Sequence, residues 1–304
     1  RFPTPAALAE APIDDVLKVW EGLGYYRRAH HLHRAARAVV ERHGGQVPRS
    51  ISDLLRLPGV GSYTVGAIAS ICFGEAAPAI DGNVRRVFGR FLALEAAAGS
   101  AGFEREVETF VGAHTPSEAP GDFNQAVMEL GALVCTPRSP RCVRCPLADC
   151  GCEAFRLGRA EAFPVRRRRD APGRRTQVCG LVRSDRGHVL IAQRPRAEML
   201  GGMWEFPGGE CRPDESPRRA LRRVMKERLG VDISRARRRG VVHHAYSHFA
   251  LKLYVYRVTL WEGQPEPRWY RSVMWLDPSG SGTPAFHAAT RTVDRMCRER
   301  GWCV

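Results

Sequence analysis

Apolar residues recur at intervals of three and four along the first half of the chain, the spacing that buries one face of an α-helix. The pattern is clear in residues 14–24, 29–45 and 123–135. Gly44 and Gly45 form a helix stop, and Ser50 with Asp53 forms an approximate capping box before an apolar pair. The first half is therefore predicted to be all-α.

The spacing of apolar residues changes in the second half of the chain. Residues 176–194 contain two strand-like runs around a turn at 185–187, and residues 250–262 alternate between apolar and polar side chains. Residues 216–230 lie between these strands and have helical spacing. The pattern predicts an α+β domain.

A basic segment broken by Pro and Gly, residues 163–176, separates the two patterns and is predicted to be an exposed linker. The predicted domains are therefore residues 1–162 and 177–304, and a length of 304 residues agrees with two domains. No apolar run approaches ~18 residues, and the N-terminal segment lacks the order of a signal peptide. We expect a cytoplasmic protein that does not enter membranes.

The formal net charge is +15, a balance that suits a polyanionic partner. The charge is unevenly distributed, because residues 1–162 carry as many acidic as basic side chains, whereas residues 177–304 carry 13 acidic and 23 basic ones. Only three of the 47 basic residues are lysines, so part of the arginine content is equally explained by a bias in the coding DNA.

A glycine turn joins two predicted helices in Leu57-Pro58-Gly59-Val60-Gly61. Two glycines before a helix N-terminus let backbone N–H groups approach a phosphate, and the helix dipole adds attraction. This is how a helix-hairpin-helix element grips the DNA backbone without reading sequence. The alternative is an ordinary turn between helices.

Asp81 follows the glycine turn by twenty residues and stands where a further helix should begin. Taken alone, it is an N-cap. A carboxylate beyond a phosphate-binding hairpin could also stabilise positive charge on a sugar carbon while a base departs, as in glycoside cleavage. The two roles are compatible.

Cysteines cluster near the end of the helical half. The chain has Cys135, Cys142 and Cys145, followed by Cys150 and Cys152. Without a secretory signal, such a group indicates a metal or cluster site rather than disulfides. Zinc sites usually come as two close pairs, so the staggered spacing favours a [4Fe-4S] cluster over zinc. The spacing leaves the fourth ligand open between Cys150 and Cys152.

Four motifs resemble the MutY-type adenine DNA glycosylases of the helix-hairpin-helix superfamily. They are GLGYYRRAHHLH, LPGVGSYTVGAIAS, AIDGNVRRV and FNQAVMELGALVCTP, followed by the cysteine loop. The resemblance covers nearly the whole chain. It implies a multidomain protein: an all-α helix-hairpin-helix glycosylase domain with a [4Fe-4S] loop, then an α+β Nudix-like domain.

The resemblance also implies an activity: flipping adenine out of double-stranded DNA, where it is mispaired with 8-oxoguanine or guanine, and hydrolysing its glycosidic bond. The resemblance makes Asp81 the catalytic carboxylate and places Tyr63 in the active site. It puts Asn83 and Gln125 at the pocket for the flipped base. It assigns contact with the DNA backbone to four residues of the hairpin: Leu57, Gly59, Val60 and Gly61. The implied cluster ligands are Cys135, Cys142, Cys145 and Cys152, with Cys150 as the rival fourth ligand.

Two departures from the family matter. Gly151 occupies the position of the family's last cluster cysteine. The family's general acid is a glutamate in a helix that would precede Arg1, and none of Glu10, Glu21 or Glu41 lies in a matching motif. We therefore expect an N-terminally truncated chain whose own activity is impaired, since a positioned acid contributes ~10²–10⁴-fold.

The second domain resembles a Nudix box at Gly209, Glu215, Arg223, Glu227 and Gly230, but Val224 and Arg228 replace two glutamates. We expect the fold without the Mg²⁺-dependent hydrolase, because the metal needs a cluster of oxygen ligands. The family's Phe-Ser-His turn, which contacts 8-oxoguanine, is matched by Tyr246, Ser247 and His248, with Tyr in place of Phe.

Two rival functions remain at this stage. The first is an endonuclease-III-like glycosylase for oxidised pyrimidines, which uses a lysine nucleophile; this chain has Tyr63 in that region and no lysine between Lys18 and Lys226. The second is a noncatalytic DNA-binding or nucleotide-binding protein of Nudix type.

Overall fold

The structure is a computed structural model that describes residues 1–166, 173–246, 248–277 and 283–301. Packing divides the chain into two compact units. The helical unit comprises Arg1–Ala9 and Arg34–Asp170, and the mixed unit comprises Glu10–His33 and Ala171–Val304. The division agrees with a helical first half, except that residues 10–33 pack with the second unit.

The helices of the first half have the following bounds: α1 (Pro5–Glu10), α2 (Ile13–Val19), α3 (Arg27–His43), α4 (Ile51–Leu55), α5 (Ser62–Phe73), α6 (Gly82–Phe91), α7 (Ala101–His114), α8 (Pro120–Leu133) and α9 (Glu153–Arg156). A short 3₁₀ turn covers Cys142–Arg144. Side chains cap several helices: Ser50 accepts a hydrogen bond from the Asp53 N–H, and Ser100 accepts one from the Phe103 N–H.

The core of the helical unit lies around α6, α7 and α8. Phe103, Val107 and Val111 on α7 are buried against Val84 and Val87 on α6. A smaller apolar cluster, centred on Leu54 and Val65, joins α4 to α5. These contacts fix the ends of α5 and α6, where the candidate catalytic residues lie.

The mixed unit contains two sheets. Its strands are β1 (Gly173–Val182), β2 (Val189–Gln193), β3 (Trp204–Glu205), β4 (Gly208–Glu210), β5 (Asp232–Ala245), β6 (Phe249–Glu262) and β7 (Ser272–Leu276), and its C-terminal helices are α10 (Pro217–Leu229) and α11 (Ala288–Arg300). One sheet has the order β4-β1-β6-β5 and the other β3-β2-β7. Strands β1 and β6 run parallel, and the other pairs are antiparallel.

Apolar side chains on the two faces of these strands form separate clusters. Leu181, Ile191 and Val255 pack with α11, whereas Val182, Leu190 and Val258 pack with α10. Because the strands are buried on both faces, the sequence of their buried stretches is almost continuously apolar. The predicted turn at 185–187 is confirmed, since the Gly187 N–H donates to the Ser184 carbonyl at 2.9 Å.

Residues 10–33 join the mixed unit through polar contacts. Gln193 donates to Asp14 at 2.8 Å, the backbone N–H of Phe286 donates to Glu21 at 3.2 Å, and His30 hydrogen-bonds the Gly201 carbonyl at 3.0 Å. Helical spacing does not indicate which domain a helix packs on, so the sequence assigned this segment to residues 1–162.

The predicted fold class, an all-α part followed by an α+β part, is confirmed. Residues 173–176 were predicted as linker but already lie in β1, where they pair with residues 249–252. Their basic side chains are compatible with a strand because the ladder uses backbone groups only. Residues 167–172 of the predicted linker lie outside the described residues. Among the helices described, none has the length and apolar character needed to cross a bilayer.

The crossing of α5 over the segment before α6 depends on a glycine. A Cβ on Gly66 would lie 2.0 Å from the Pro78 carbonyl oxygen, which is backbone and cannot rotate away. We expect Gly66→Ala to lower the free energy of unfolding by about 1–3 kcal/mol or more, as overpacking does, measured by urea denaturation.

Gly112 provides the matched control, because it is exposed inside α7 and an added Cβ would meet nothing within 4 Å. Gly112→Ala is expected to raise the free energy of unfolding by about 0.5–1 kcal/mol. Equal effects of the two substitutions would contradict the close approach at Gly66.

Candidate functional site

The predicted hairpin is formed by α4, a turn at residues 56–61 and α5. Leu57 is buried, and its carbonyl accepts a hydrogen bond from the Val60 N–H at 3.2 Å. Gly59 has φ +78°, a backbone conformation that favours glycine. Gly59 and Gly61 are exposed, and within the described residues their N–H groups have no backbone partner.

The N-terminus of α5 therefore presents unsatisfied N–H groups to solvent. Gly61 is its N-cap residue and offers no side-chain cap. A helix N-terminus with exposed N–H groups attracts anions. Of the four predicted backbone-binding residues, Gly59 and Gly61 present backbone, whereas the side chain of Leu57 belongs to the core.

Asp81 is the N-cap of α6. Its Oδ1 accepts hydrogen bonds from the N–H groups of Asn83 and Val84, both at 2.8 Å. Its Oδ2 accepts a hydrogen bond from the Asn83 side-chain amide at 2.9 Å. The carboxylate is thus held at both oxygens while remaining partly exposed, so it is a fixed negative charge that does not need to reorient.

A hydrogen-bonded chain leads from Asp81 to the cysteine loop. The Asn83 Oδ1 accepts from Arg86 Nη2 at 2.8 Å, and Arg86 Nε donates to the Cys135 carbonyl at 2.7 Å. Because arginine can only donate, the Asn83 oxygen must face Arg86 and its NH₂ must face Asp81. Burial lowers the pKa of Arg86, although the Cys135 thiolate and Asp81 raise it.

Helix α8 approaches this chain closely. Arg86 Nη2 also donates to the Gly131 carbonyl at 2.6 Å, and a Cβ on Gly131 would lie 2.6 Å from the Asn83 Cβ. Only a glycine lets the two helices meet at this point. The position of Asn83 therefore depends on α8 as well as on α6.

Tyr63 and Gln125, the other predicted active-site residues, lie on α5 and α8. Tyr63 is 42% exposed, and its hydroxyl donates to the Met128 sulfur at 3.7 Å. Gln125 is exposed and donates to the Gly121 carbonyl of its own helix at 3.2 Å. Among the described residues, no hydrogen bond joins either side chain to Asp81, so their predicted roles stay predictions.

Four of the cysteines line one pocket. They are Cys135, Cys142, Cys145 and Cys152, accompanied mainly by apolar side chains. Cys150 does not line the pocket; it is exposed, and its thiol donates to the Pro146 carbonyl at 3.3 Å. The four cysteines implied by the resemblance thus line the pocket and Cys150 does not, while their role as ligands stays a prediction.

Burial raises the pKa of the Cys142 and Cys152 thiols, and the neighbouring Cys135 side chain raises both further. Neighbouring thiolates disfavour one another's charge, and a positive charge close to the sulfurs offsets this effect. In the side-chain arrangement of the described residues, no three His, Cys, Asp or Glu side chains form a group that could hold a metal ion.

Arg90 supports the start of the cysteine loop from inside the helical unit. It is 3% exposed, and its Nη1 donates to the Cys135 sulfur at 3.2 Å and to the Thr136 carbonyl at 2.8 Å. Its Nε donates to the Phe163 carbonyl at 2.8 Å. One buried guanidinium thus joins a predicted cluster ligand to the end of the helical unit.

The residues that match the family's Phe-Ser-His turn, Tyr246 to His248, are called the reading turn; they follow β5 and precede β6 in the mixed unit. Tyr246 is partly buried: its ring centroid is 5.0 Å from that of Phe249, and its hydroxyl hydrogen-bonds His287 Nδ1 at 3.3 Å. Burial raises the pKa of Tyr246 to about 12. His248 is exposed, and Ser247 lies outside the described residues. The packed ring of Tyr246 is poorly placed for wedging into a base stack.

His287 connects Tyr246 to a buried ion pair. The Thr290 N–H can only donate, and it points at His287 Nδ1 at 3.4 Å. The ring therefore carries its proton on Nε2, which donates to Glu205 at 3.1 Å. Arg194 also donates to Glu205, at 2.8 Å. Burial alone would raise the pKa of Glu205, but Arg194 and His287 bring it down to about 2.

The Nudix-like motif is held together by one arginine. Arg223 donates to both oxygens of Glu215, at 2.8 and 2.7 Å, and to Glu227 at 3.0 Å. The Arg223 hydrogen bonds lower the pKa of Glu215 to about 2. Val224 is buried, and the Arg228 guanidinium lies 3.8 Å from the Trp269 ring centroid. Both remaining carboxylates of the motif are thus engaged by Arg223.

Comparison with known proteins identifies both halves. Residues 1–112 match the model of the HhH-GPD superfamily base excision DNA repair protein, and residues 178–294 match that of the NUDIX domain. The whole chain is 33% identical to the human adenine DNA glycosylase, covering 64% of it, and 33% identical to the rat adenine DNA glycosylase, covering 68% of it. The chain belongs to the adenine DNA glycosylase family. It spans about two thirds of the length of these relatives.

A solved structure of a non-covalent endonuclease III–DNA complex is also similar to part of the chain. The sequence identity is 26% and the TM-score is 0.45, over 52% of this chain and 72% of the other.

Sequence reasoning missed the residues that support the site. Arg86 and Arg90 lie in α6, which Asp81 caps, but two arginines do not stand out in an arginine-rich sequence. Arg86 and Arg90 are four residues apart, so their side chains lie on the same face of α6. This spacing is the signal in the sequence that could have indicated a shared role. Glu205 and His287 are 82 residues apart, and no local pattern connects them.

The Tyr246 hydroxyl is expected to stabilise the mixed unit. Tyr246→Phe, which restores the family's residue, should lower the free energy of unfolding by about 1 kcal/mol, measured by denaturant titration. Tyr254→Phe is the control, because among the described contacts of Tyr254 no hydroxyl hydrogen bond is found; it should have almost no effect.

His287→Asn tests the same contact from the other side. Asparagine keeps an N-cap for α11 but is too short to reach Tyr246. The double variant should cost less than the sum of the single variants, since both remove one hydrogen bond. Strict additivity would show that the contact does not contribute.

Proposed function

We propose that this chain provides the catalytic carboxylate, the DNA-gripping hairpin and the opposite-base reader of an adenine DNA glycosylase. The substrate is double-stranded DNA in which adenine is mispaired with 8-oxoguanine or guanine, and the reaction is hydrolysis of the adenine N-glycosidic bond. The observation that carries the proposal is the position of Asp81, a carboxylate fixed by three hydrogen bonds and followed by Asn83.

Asp81 suits the charge that develops during base departure. The C–N bond breaks with its electron pair leaving on the adenine, so positive charge accumulates on the deoxyribose. A carboxylate already held by the α6 N-terminus and by Asn83 stabilises that charge without reorganisation. Water then attacks the anomeric carbon, and the sugar keeps a hydroxyl group.

Two further parts of the proposal concern DNA. The exposed N–H groups of Gly59, Gly61 and the first turn of α5 hold a phosphate, which positions the duplex without reading its sequence. The adenine must leave the stack, because its glycosidic bond is shielded in a duplex. The family resemblance assigns its protonation to a glutamate upstream of Arg1.

The turn at Tyr246, Ser247 and His248 is proposed to read the base opposite adenine. The exposed imidazole of His248 can hydrogen-bond a base edge. The buried hydroxyl of Tyr246 suits it to anchor the turn rather than to enter the stack. We further propose that the protein acts as a monomer associated with the nucleoid of the cytoplasm.

The cysteine pocket is proposed to hold a [4Fe-4S] cluster through Cys135, Cys142, Cys145 and Cys152. The chemistry of the donors supports this assignment, because four soft thiolates with no carboxylate are the usual ligands of such a cluster. The cluster would cross-link the end of α8 to the 3₁₀ turn and to α9. Through Arg86 and Arg90, the same loop supports the helix that carries Asp81.

Asp81→Asn should reduce adenine excision by at least about 10²-fold, because asparagine cannot offset positive charge at the sugar. Duplex binding should change little, since asparagine is an equally good N-cap. Single-turnover excision from a duplex with adenine opposite 8-oxoguanine measures the effect, in the chain extended upstream to include the glutamate that the resemblance predicts. Asp185→Asn, in an exposed turn, is the charge-matched control. Excision by Asp81→Asn at the control's rate would end the assignment.

Cys152→Ser should abolish stable cluster binding, whereas Cys150→Ser should retain about four irons per chain. Iron analysis and visible absorbance after anaerobic purification distinguish the two variants. Retention of iron by Cys152→Ser with loss in Cys150→Ser would reverse the ligand assignment. Zinc in place of iron in the unsubstituted protein would overturn the cluster itself.

A further inference from the structure

The mixed unit concentrates its positive charge in one short stretch. Residues 218–239 contain ten basic and two acidic side chains, which accounts for most of the excess over residues 177–304. The stretch covers α10 and the first half of β5. Six of its arginines are exposed and, within the described part of the chain, make no ion pair with a carboxylate: Arg218, Arg219, Arg222, Arg235, Arg237 and Arg238. We call these six the arginine surface.

Contacts between α10 and β5 bring three of these arginines near one another. Arg222 Nη2 donates to the Ser234 carbonyl at 2.9 Å, which ties the helix to the strand. Arg238 pairs with Tyr256 in the β5–β6 register, and the charges of Arg238 and Arg218 both act on the Tyr256 hydroxyl. Strand β5 is at the edge of its sheet, and the arginines that it carries at 235, 237 and 238 are exposed.

Neighbouring basic residues are treated differently by the fold. Arg223 is paired with Glu215 and Glu227, and Lys226 is paired with Asp232. The unit thus neutralises some charges of the same stretch and leaves six of one sign without a carboxylate partner among the described residues. Such a group repels itself, and a multivalent anion relieves the repulsion.

Protection of the sheet edge is the alternative explanation, since charged side chains on an edge strand discourage aggregation. It accounts for arginines on β5. It does not account for Arg218, Arg219 and Arg222, which lie on a helix and have no edge to protect.

We propose that the arginine surface binds the phosphate backbone of duplex DNA without reading its sequence. Guanidinium groups match phosphate oxygens in geometry, and phosphate contacts dominate sequence-independent affinity. This inference rests on the proposed function, because it extends the DNA contact of the same unit.

The position of the surface makes it a separate contact. Arg237 precedes Tyr246 by nine residues along β5, about 30 Å at the rise of an extended strand. That distance corresponds to about nine base pairs of duplex. DNA that reaches both points must extend about one helical turn beyond the reading turn.

The test is the salt dependence of binding to an undamaged 40-base-pair duplex. The triple variant Arg235→Gln, Arg237→Gln, Arg238→Gln should lower the magnitude of the slope of log K against log salt by about 1–3, since each lost phosphate contact removes ~0.9. A matched control neutralises three arginines that already have carboxylate partners: Arg212, Arg268 and Arg298. The control should change the slope by less than half as much.

Three comparisons decide the result. On a 12-base-pair duplex centred on the mispair, the triple variant should bind like the unsubstituted protein, because the DNA is too short to reach the surface. Single-turnover excision at saturating DNA should be unchanged. Equal slopes for the triple variant and the control, or tighter binding to duplex RNA than to DNA, would overturn the inference.

The design separates this inference from the proposed function. If the unsubstituted protein, extended upstream as in the Asp81 test, fails to excise adenine, the proposed function fails. If it excises adenine and the slopes do not differ, the arginine surface alone fails. Circular dichroism and thermal unfolding of both triple variants establish that each is folded.

Discussion

The candidate site depends on the capping of α6 by a carboxylate. An N-cap residue accepts hydrogen bonds from backbone N–H groups that the helix cannot satisfy itself, and Asp81 does so with both Asn83 and Val84. The same contacts fix the direction of its second oxygen, which the Asn83 amide holds at 2.9 Å. The residue is therefore positioned by the requirements of helix formation, and the chemistry proposed for it uses an orientation that folding already imposes.

Hydrogen bonds connect the helix that Asp81 caps to the cysteine loop. Arg86 and Arg90 connect α6 to the cysteine loop, and both bond to Cys135, one through its carbonyl and the other through its sulfur. Gly131 lets α8 come close enough for its carbonyl to receive Arg86. Disturbance of the cysteine loop would thus reach Asn83 and Asp81 through hydrogen bonds of 2.9 Å or less.

Local patterns predicted the elements well, since helical spacing, the Ser50 cap and the turn before Gly187 are all properties of neighbouring residues. The Asp81 N-cap was equally readable, because it needs only a polar residue before a helix. Contacts between distant segments could not be predicted from such local patterns. The Glu205–His287 pair, the packing of residues 10–33 on the mixed unit and the parallel pairing of β1 with β6 depend on tertiary structure, which leaves no periodic signal.

The Nudix-like motif shows which contacts stabilise the fold at the positions where Val224 and Arg228 stand in place of glutamates. Arg223 engages Glu215 and Glu227, so both carboxylates are paired with one guanidinium. Val224 adds apolar packing, and Arg228 lies on Trp269 while donating to the Gly208 carbonyl at 2.9 Å. Each replacement supplies a contact that stabilises the same strand–helix arrangement. These contacts hold the sheet in one arrangement, which the role proposed for the turn after β5 requires, because the turn must meet a base in a fixed position.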